Sequence, residues 1–210
     1  MVEWRISEGL TPYEESLAWM EARVAAILAG EAEECVWLLE HPALYTAGTS
    51  ARAEDLVEPD RLPVHVAGRG GEYTYHGPGQ LVVYPILDLK PDRKDLHGYL
   101  RDLETVLIAV AASFDVQAER NDGLTGVWTK TGKLAAIGVR VSSGWITSHG
   151  VALNVSTDLE YFATIVPCGI PDRDVTSLER ETGRPVSIPE ASKSLVECFV
   201  DVFSFDIVVA

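Results

Sequence analysis

With 210 residues, 47% of them hydrophobic and 23% charged, the chain has the composition of one sizeable globular domain able to bury its own core, and not of a disordered protein. A formal net charge of −15 argues against nucleic acid and anionic membrane surfaces as partners, because both are repelled at long range. The three cysteines, Cys35, Cys168 and Cys198, are an odd count without CxxC spacing and suggest neither a disulfide framework nor a thiolate zinc site.

No apolar run is long enough to cross a bilayer, and Met1 to Gly9 carries Glu3, Arg5 and Glu8 in place of a signal-peptide core, so a cytoplasmic protein is expected. Charge is unevenly spread. Residues 1–60 hold three basic and thirteen acidic side chains, residues 61–210 fourteen and nineteen, so an acidic partner should dock away from the N-terminal third.

In chain order, Thr11-Pro12-Tyr13-Glu14 reads as a capping box with proline at the first helical position. Leu17, Met20, Val24, Ile27 and Leu28 then share a helical face up to Gly30. Cys35-Val36-Trp37-Leu38-Leu39 is a buried strand, which makes Cys35 a small core hydrophobe. His41 before Pro42 reads as a turn residue in preference to a ligand. Residues 49–63 form a surface connection, Val64-His65-Val66 enters the sheet, and His65 has no partner spacing that would give it a role.

From Gly68 to Leu89 the chain reads GRGGEYTYHGPGQLVVYPILDL, a glycine-rich loop delivered onto a buried strand. Gly70 and Gly71 let the backbone approach a ligand closely, Thr74, Tyr75 and His76 add hydrogen-bonding side chains, and Gly77-Pro78-Gly79 closes the loop. Turn chemistry alone gives the same composition, so at this point the loop is equally a structural turn.

Asp95 to Phe114 is a second helix with Leu96, Tyr99, Leu100, Leu103, Leu107 and Val110 in a stripe and His97 off it. A strand pair follows, Gly126 to Thr129 and Lys133 to Val141, and Trp145 to Val155 runs back beside it. Small residues along Lys133 to Val141 leave space beside the strand, as a bound group requires. His149 in the returning strand is open to a structural reading.

Asp158 to Ala163 is a short helix. Ser187-Ile188-Pro189-Glu190 caps a last helix whose apolar face holds Leu195, Cys198, Phe199, Val202 and Phe203, and Phe205 to Val209 is a final strand. Strands joined by short turns outnumber helices, which predicts an α+β fold: a mixed, largely antiparallel sheet with helices packed on it, in a single domain over residues 1–210.

Cys168, between Pro167 and Gly169, is the one thiol placed in a loop, and Lys133 is the lysine best placed to stabilise its thiolate if the two meet. Many loop cysteines do nothing, so this pairing stands as a candidate only.

Several separated stretches carry a resemblance. They are Glu40-His41-Pro42 with Tyr45-Thr46-Ala47-Gly48; Arg69-Gly70-Gly71 with Thr74, His76, Pro78-Gly79-Gln80 and Tyr84; Gly123 to Trp128; Lys133 with Ala136-Ile137-Gly138; His149 to Val155; and Pro167-Cys168-Gly169 with Val175-Thr176-Ser177-Leu178. In these the chain resembles the lipoyl (octanoyl) transferases of the lipoate and biotin protein ligase superfamily, without departure at the positions that carry chemistry.

The resemblance implies a biotin/lipoate ligase-like fold. It also implies transfer of an octanoyl group from acyl carrier protein to a lysine of a lipoyl domain, through a thioester on Cys168, with Lys133 lowering the thiol pKa. Substrate contacts carry over to Arg69, Gly70, Gly71, Glu72, Tyr73, Thr74, Tyr75 and His76, to Ala136, Ile137 and Gly138, and to Gly150, Val151 and Ala152. The implied acceptors are lipoyl domains of 2-oxoacid dehydrogenase complexes and the glycine cleavage carrier protein, with no cofactor and no metal. Carrier proteins of this kind are acidic, so Arg69, Arg140 and Arg173 are candidate docking residues.

Two alternatives remain at the level of sequence. An ATP-dependent lipoate or biotin ligase would activate its acid as an adenylate and not need Cys168; a non-catalytic acyl-binding protein would need neither Cys168 nor Lys133.

Overall fold

The computed structural model describes residues 2–90, 94–165 and 174–205. Its main sheet has seven strands in the order β1-β2-β6-β10-β9-β8-β7. The strands are β1 (Val2–Leu10), β2 (Glu34–Glu40), β6 (Gln80–Ile86), β7 (Glu119–Asn121), β8 (Leu124–Trp128), β9 (Lys133–Val141) and β10 (Thr147–Asn154). Among the described residues of this sheet, only β1 and β2 run parallel, joined across helix α1 (Tyr13–Ala29), and every other neighbouring pair is antiparallel. The sheet is therefore mixed and largely antiparallel, as the short turns require.

The continuous apolar runs in β2 and β6 follow from burial on both faces. Leu81 and Val83 of β6 pack with Leu103 and Leu107 of α2 (Leu96–Ser113) and Phe199 of α4 (Ile188–Phe203). Val82, Tyr84 and Ile86 point the other way, to Met20 of α1, Cys35 and Trp37. Among the described residues no helix is long and apolar enough to cross a membrane.

A second sheet stands apart, with three strands in the order β4-β3-β5: β3 (Leu44–Ala47), β4 (Val64–Val66) and β5 (Tyr73–His76). The sequence places Val64–Val66 in one sheet with the rest and treats residues 68–79 as loop throughout. Instead, Tyr73–His76 pairs antiparallel with β3, because its alternate residue Tyr75 is drawn into an aromatic cluster with Tyr45 and Phe162 and stacks on Tyr161 at 4.8 Å.

Helix ends correct a second expectation. The Thr11 capping box does not form: Pro12 is the N-cap of α1 and no side chain caps it. Thr11 is held by β2 instead, its N–H donating to the Glu40 carbonyl at 2.8 Å. The Ser187 capping box does form, and Asp95 caps α2. Along α1, Gly30 ends the helix in the left-handed region, but Leu28 is 48% exposed and lies off the packed stripe.

Cys35 is fully buried, and burial pushes its thiol up to about 12. Cys198 is only partly buried at the edge of the larger core. The strand expected over Phe205 to Val209 lies, beyond Phe205, outside the described residues. Three short helical elements are described besides: 3-10 turns at Ala53–Asp55 and at Leu159–Thr164, the latter capped by Asp158 as the sequence indicates, and helix α3 (Leu178–Thr182).

Candidate active site

On the α1 side of the main sheet, β6, β9 and β10 floor a cleft that is walled by the chain from Arg69 to His76. Antiparallel pairing sets Gly138 of β9 against Gly150 of β10, and Ala136 against Ala152. These four small residues, with Val82, make a shallow apolar trough. Two of them are glycine from necessity. A Cβ on Gly138 would sit 2.8 Å from Arg69 Cδ, and one on Gly150 only 2.2 Å from the Val83 carbonyl oxygen.

Hydrogen bonds hold down the part of the wall that Tyr75 does not anchor by packing. Gly70 N–H donates to the Val139 carbonyl at 3.1 Å, tying the loop to β9. Arg69 is 8% exposed; its Nη2 donates to Thr46 O at 2.9 Å and to Thr46 Oγ1 at 2.6 Å, and its Nη1 to Gly70 O at 3.0 Å. Its guanidinium builds the site and does not present itself to a carrier surface. Of the docking candidates that leaves Arg140, which is exposed; Arg173 lies outside the described residues.

Three histidines around the cleft are kept neutral. His76 lines it, with Nδ1 2.7 Å from Gln80 Oε1; burial, then the nearby His41 and Arg69, hold its pKa well below the ordinary value. Burial and then Arg69 and Arg140 lower His149, also in the lining, to about 4. His41 is not an exposed turn residue. It is buried behind Tyr84, with Nδ1 donating to Thr11 O at 2.7 Å and Nε2 accepting from the Tyr84 hydroxyl at 2.8 Å, and burial lowers it to about 4. Neutral imidazoles hold protons at fixed nitrogens and so act as directional hydrogen-bond partners at pH 7.

Lys133 opens β9 and is buried to 9% exposure at the cleft. Its N–H donates to Asp174 O at 2.9 Å and its carbonyl accepts from Thr176 N at 3.0 Å, so residues 174–176 clasp its backbone through both polar groups. Nζ lies 5.2 Å from the Trp128 ring centroid. Room for the side chain comes from Gly126, at φ 123°, where a Cβ would come within 2.7 Å of Lys133 Cε.

The comparisons with known proteins bear on what such a cleft belongs to. Residues 12–200 match the family described as lipoyl protein ligase A/B catalytic domain. The chain belongs to the lipoyl protein ligase A/B family. Within that family it is 52% identical to the octanoyltransferase of Cereibacter sphaeroides, over 94% of this chain and 96% of the relative, and 50% identical to that of Dinoroseobacter shibae, over 96% and 97%. Its fold is that of the bipartite lipoate protein ligase of Thermoplasma acidophilum, with a TM-score of 0.73 at 18% identity over 99% of this chain and 86% of that one.

For a lipoyl ligase A/B chain, the sequence-derived site is largely gathered in one place. Arg69, Gly70, Gly71, Glu72, Tyr73, Thr74 and His76 line the cleft, as do Lys133, Ala136, Ile137, Gly138, Gly150, Val151 and Ala152. Tyr75 does not. The period of β5 turns it away into the aromatic cluster, where it is 1% exposed. Cys168 lies outside the described residues.

Sequence reasoning assigned no role to Tyr13, Tyr84, His149, Asn154, Phe162 or Val175, all of which line the cleft. Tyr13 was hidden by its place in a capping pattern; it is 3% exposed and its hydroxyl has no partner among the described residues. Alternation along β6 and β10 was the signal available for Tyr84 and Asn154, since Gln80, Val82 and Tyr84 share a face, as do Gly150, Ala152 and Asn154; no such pattern marks His149, Phe162 or Val175.

Proposed function

We propose that this protein is an octanoyltransferase that takes an octanoyl group from acyl carrier protein onto Cys168 and delivers it to a lysine of a lipoyl domain. The observation that carries this reading is the pairing of a small-residue trough with a buried lysine whose backbone is clasped by residues 174–176, shortly after Cys168 in the chain. The family relatives named octanoyltransferase, matched over nearly their whole length, support it.

In the proposed reaction the acyl chain lies on the trough of Ala136, Gly138, Gly150 and Ala152. The Cys168 thiolate attacks the thioester carbonyl, the carrier sulfur leaves, and the Lys133 ammonium gives it a proton. The acceptor amine then attacks the enzyme thioester and passes its proton back to Lys133 as the Cys168 thiolate is released, restoring the starting state. Exchange of one thioester for another is nearly balanced and the amide is the downhill product, so ATP has no part in the cycle. Acceptors on this reading are lipoyl domains of 2-oxoacid dehydrogenases and the glycine cleavage carrier, met in the cytoplasm.

Mixing octanoyl-loaded carrier, apo lipoyl domain and protein without ATP tests the reading. Transfer is expected, with the mass of one octanoyl group appearing on Cys168 when the acceptor is withheld. Transfer that occurs only with free octanoate and ATP would make the chain a ligase instead.

A further inference from the structure

Six residues drawn from five separated stretches of chain form a chain of hydrogen bonds beneath the cleft, and every link has a fixed direction. At one end Asn154 Nδ2 donates to the Thr176 carbonyl at 3.1 Å. Its Oδ1 is thereby the acceptor for Gln80 Nε2 at 3.0 Å. Gln80 Nε2 also donates to the Tyr75 carbonyl at 3.1 Å, so Oε1 must accept, and His76 Nδ1 at 2.7 Å must carry the hydrogen. The other ring nitrogen of His76 then holds a lone pair towards Thr46 Oγ1 at 3.4 Å, and that hydroxyl accepts from Arg69 Nη2 at 2.6 Å.

The two ends settle the sense of the whole chain. A guanidinium can only donate and a backbone carbonyl can only accept, so no amide or imidazole between them can turn over without breaking two bonds. Thr46, His76, Gln80, Asn154 and Thr176 are each less than a tenth exposed, so water does not replace a lost partner. The acceptor at the far end is Thr176, whose N–H in turn holds the Lys133 carbonyl. Glu181 takes the Thr176 hydroxyl at 2.6 Å from the other side.

We propose that Gln80 and Asn154 are positioning residues for Lys133: they lock the segment 174–176, which clasps the lysine backbone, to the loop that walls the acyl cleft. The proposal rests on the octanoyl-transfer reading. It adds that the lysine is set in register with the loop at Arg69 by two neutral amides that carry no charge and do no proton transfer themselves. A displacement of the lysine by a fraction of an ångström then costs turnover while leaving the apolar trough, and the binding it provides, in place.

The test is steady-state transfer from octanoyl-carrier to apo lipoyl domain by the full chain, comparing wild type with Asn154→Ala, Asn154→Asp and Gln80→Met. For Asn154→Ala and Gln80→Met, kcat is expected to fall roughly 10- to 100-fold while KM for the carrier stays within about threefold. Asn154→Asp separates positioning from simple loss of structure. Its new carboxyl, buried and facing the Thr176 carbonyl, has a raised pKa and can donate only when protonated.

The charged and titratable groups around it, Arg69, Glu72, His76, Lys133, His149 and Glu181, are common to wild type. The ratio of variant to wild-type kcat should therefore climb as pH falls from about 8 to about 5, with thermal melting confirming a folded protein at each pH. Folded variants with kcat within about twofold of wild type, or a ratio that is flat with pH, would overturn the proposal while leaving octanoyl transfer standing. A wild type that transfers nothing would remove both. Should Asn154→Ala not fold, Gln80→Met keeps the side-chain volume and tests the same link.

Discussion

The two faces of β6 and β10 share a backbone and differ in everything else. Leu81 pairs with Leu153 and points into hydrocarbon supplied by α2 and α4; one residue along, Gln80 pairs with Asn154 and points into the cleft. Burial does not separate them, since Leu81 and Gln80 are each 1% exposed. What separates them is how the buried atoms are satisfied, by close packing on one face and by directed hydrogen bonds and deliberate space on the other. The core face should therefore yield to cavities in a graded way, and the cleft face should fail in function before it fails in stability.

The sharpest way to break this comparison is at the chemistry. Cys168→Ala and Lys133→Ala should each lower transfer by about 10³-fold or more with little change in melting temperature. Retained turnover in folded Cys168→Ala would sink the covalent route.

Adjacent residues of β10 give the next largest contrast. Leu153→Ala should cost about 2–5 kcal/mol of stability in urea unfolding while the folded fraction still turns over. Ala152→Leu should instead leave the fold standing, cut octanoyl transfer roughly 10- to 100-fold and favour shorter acyl donors. If chain-length preference does not move, the acyl group does not lie on this trough.

Acid should then expose the cost of the neutral imidazoles. His41 and His149 are both lowered to about 4 by burial, so below the ordinary imidazole value of 6.5 the unfolded chain binds protons that the native fold refuses. The stability is fully present above that value and is lost as pH falls through the window down to about 4, by at most about 3 kcal/mol per histidine. His41→Asn should flatten the slope of urea midpoints against pH. An unchanged slope would mean that His41 takes up its proton inside the fold.

The smallest effect belongs to the surface. Arg140→Glu should slow association of the loaded carrier by roughly 3- to 10-fold at low salt and weaken its salt dependence, as read by stopped-flow, with kcat unchanged. An on-rate that ignores this reversal places the docking face elsewhere.

What could be read in the sequence was local. Lys133 to Val141 forms β9 over just those residues, and Ser187 with Glu190 makes its capping box, because both depend on neighbours a few positions away. Thr11 misled for the opposite reason: its N–H is claimed by Glu40, a residue its own sequence window does not contain. The same holds for Tyr75, taken out of the site by contacts with Tyr45 and Phe162. The small residues of the trough were visible as composition, but the register that sets them opposite one another across β9 and β10 was not. Nothing in either local window says that Gln80 and Asn154 meet.

That meeting spans 74 residues of chain. During synthesis β6 can pair at once with β2, already made, but its other edge waits for β10. At about 5–20 residues per second the wait is roughly 4–15 s, and loop closure over such a span is itself slow. Through that interval seven residues, Gln80–Ile86, all buried in the finished protein, present an open ladder edge. This inner strand of the sheet is thus the nascent chain's most adhesive segment, and the one a chaperone would be expected to hold.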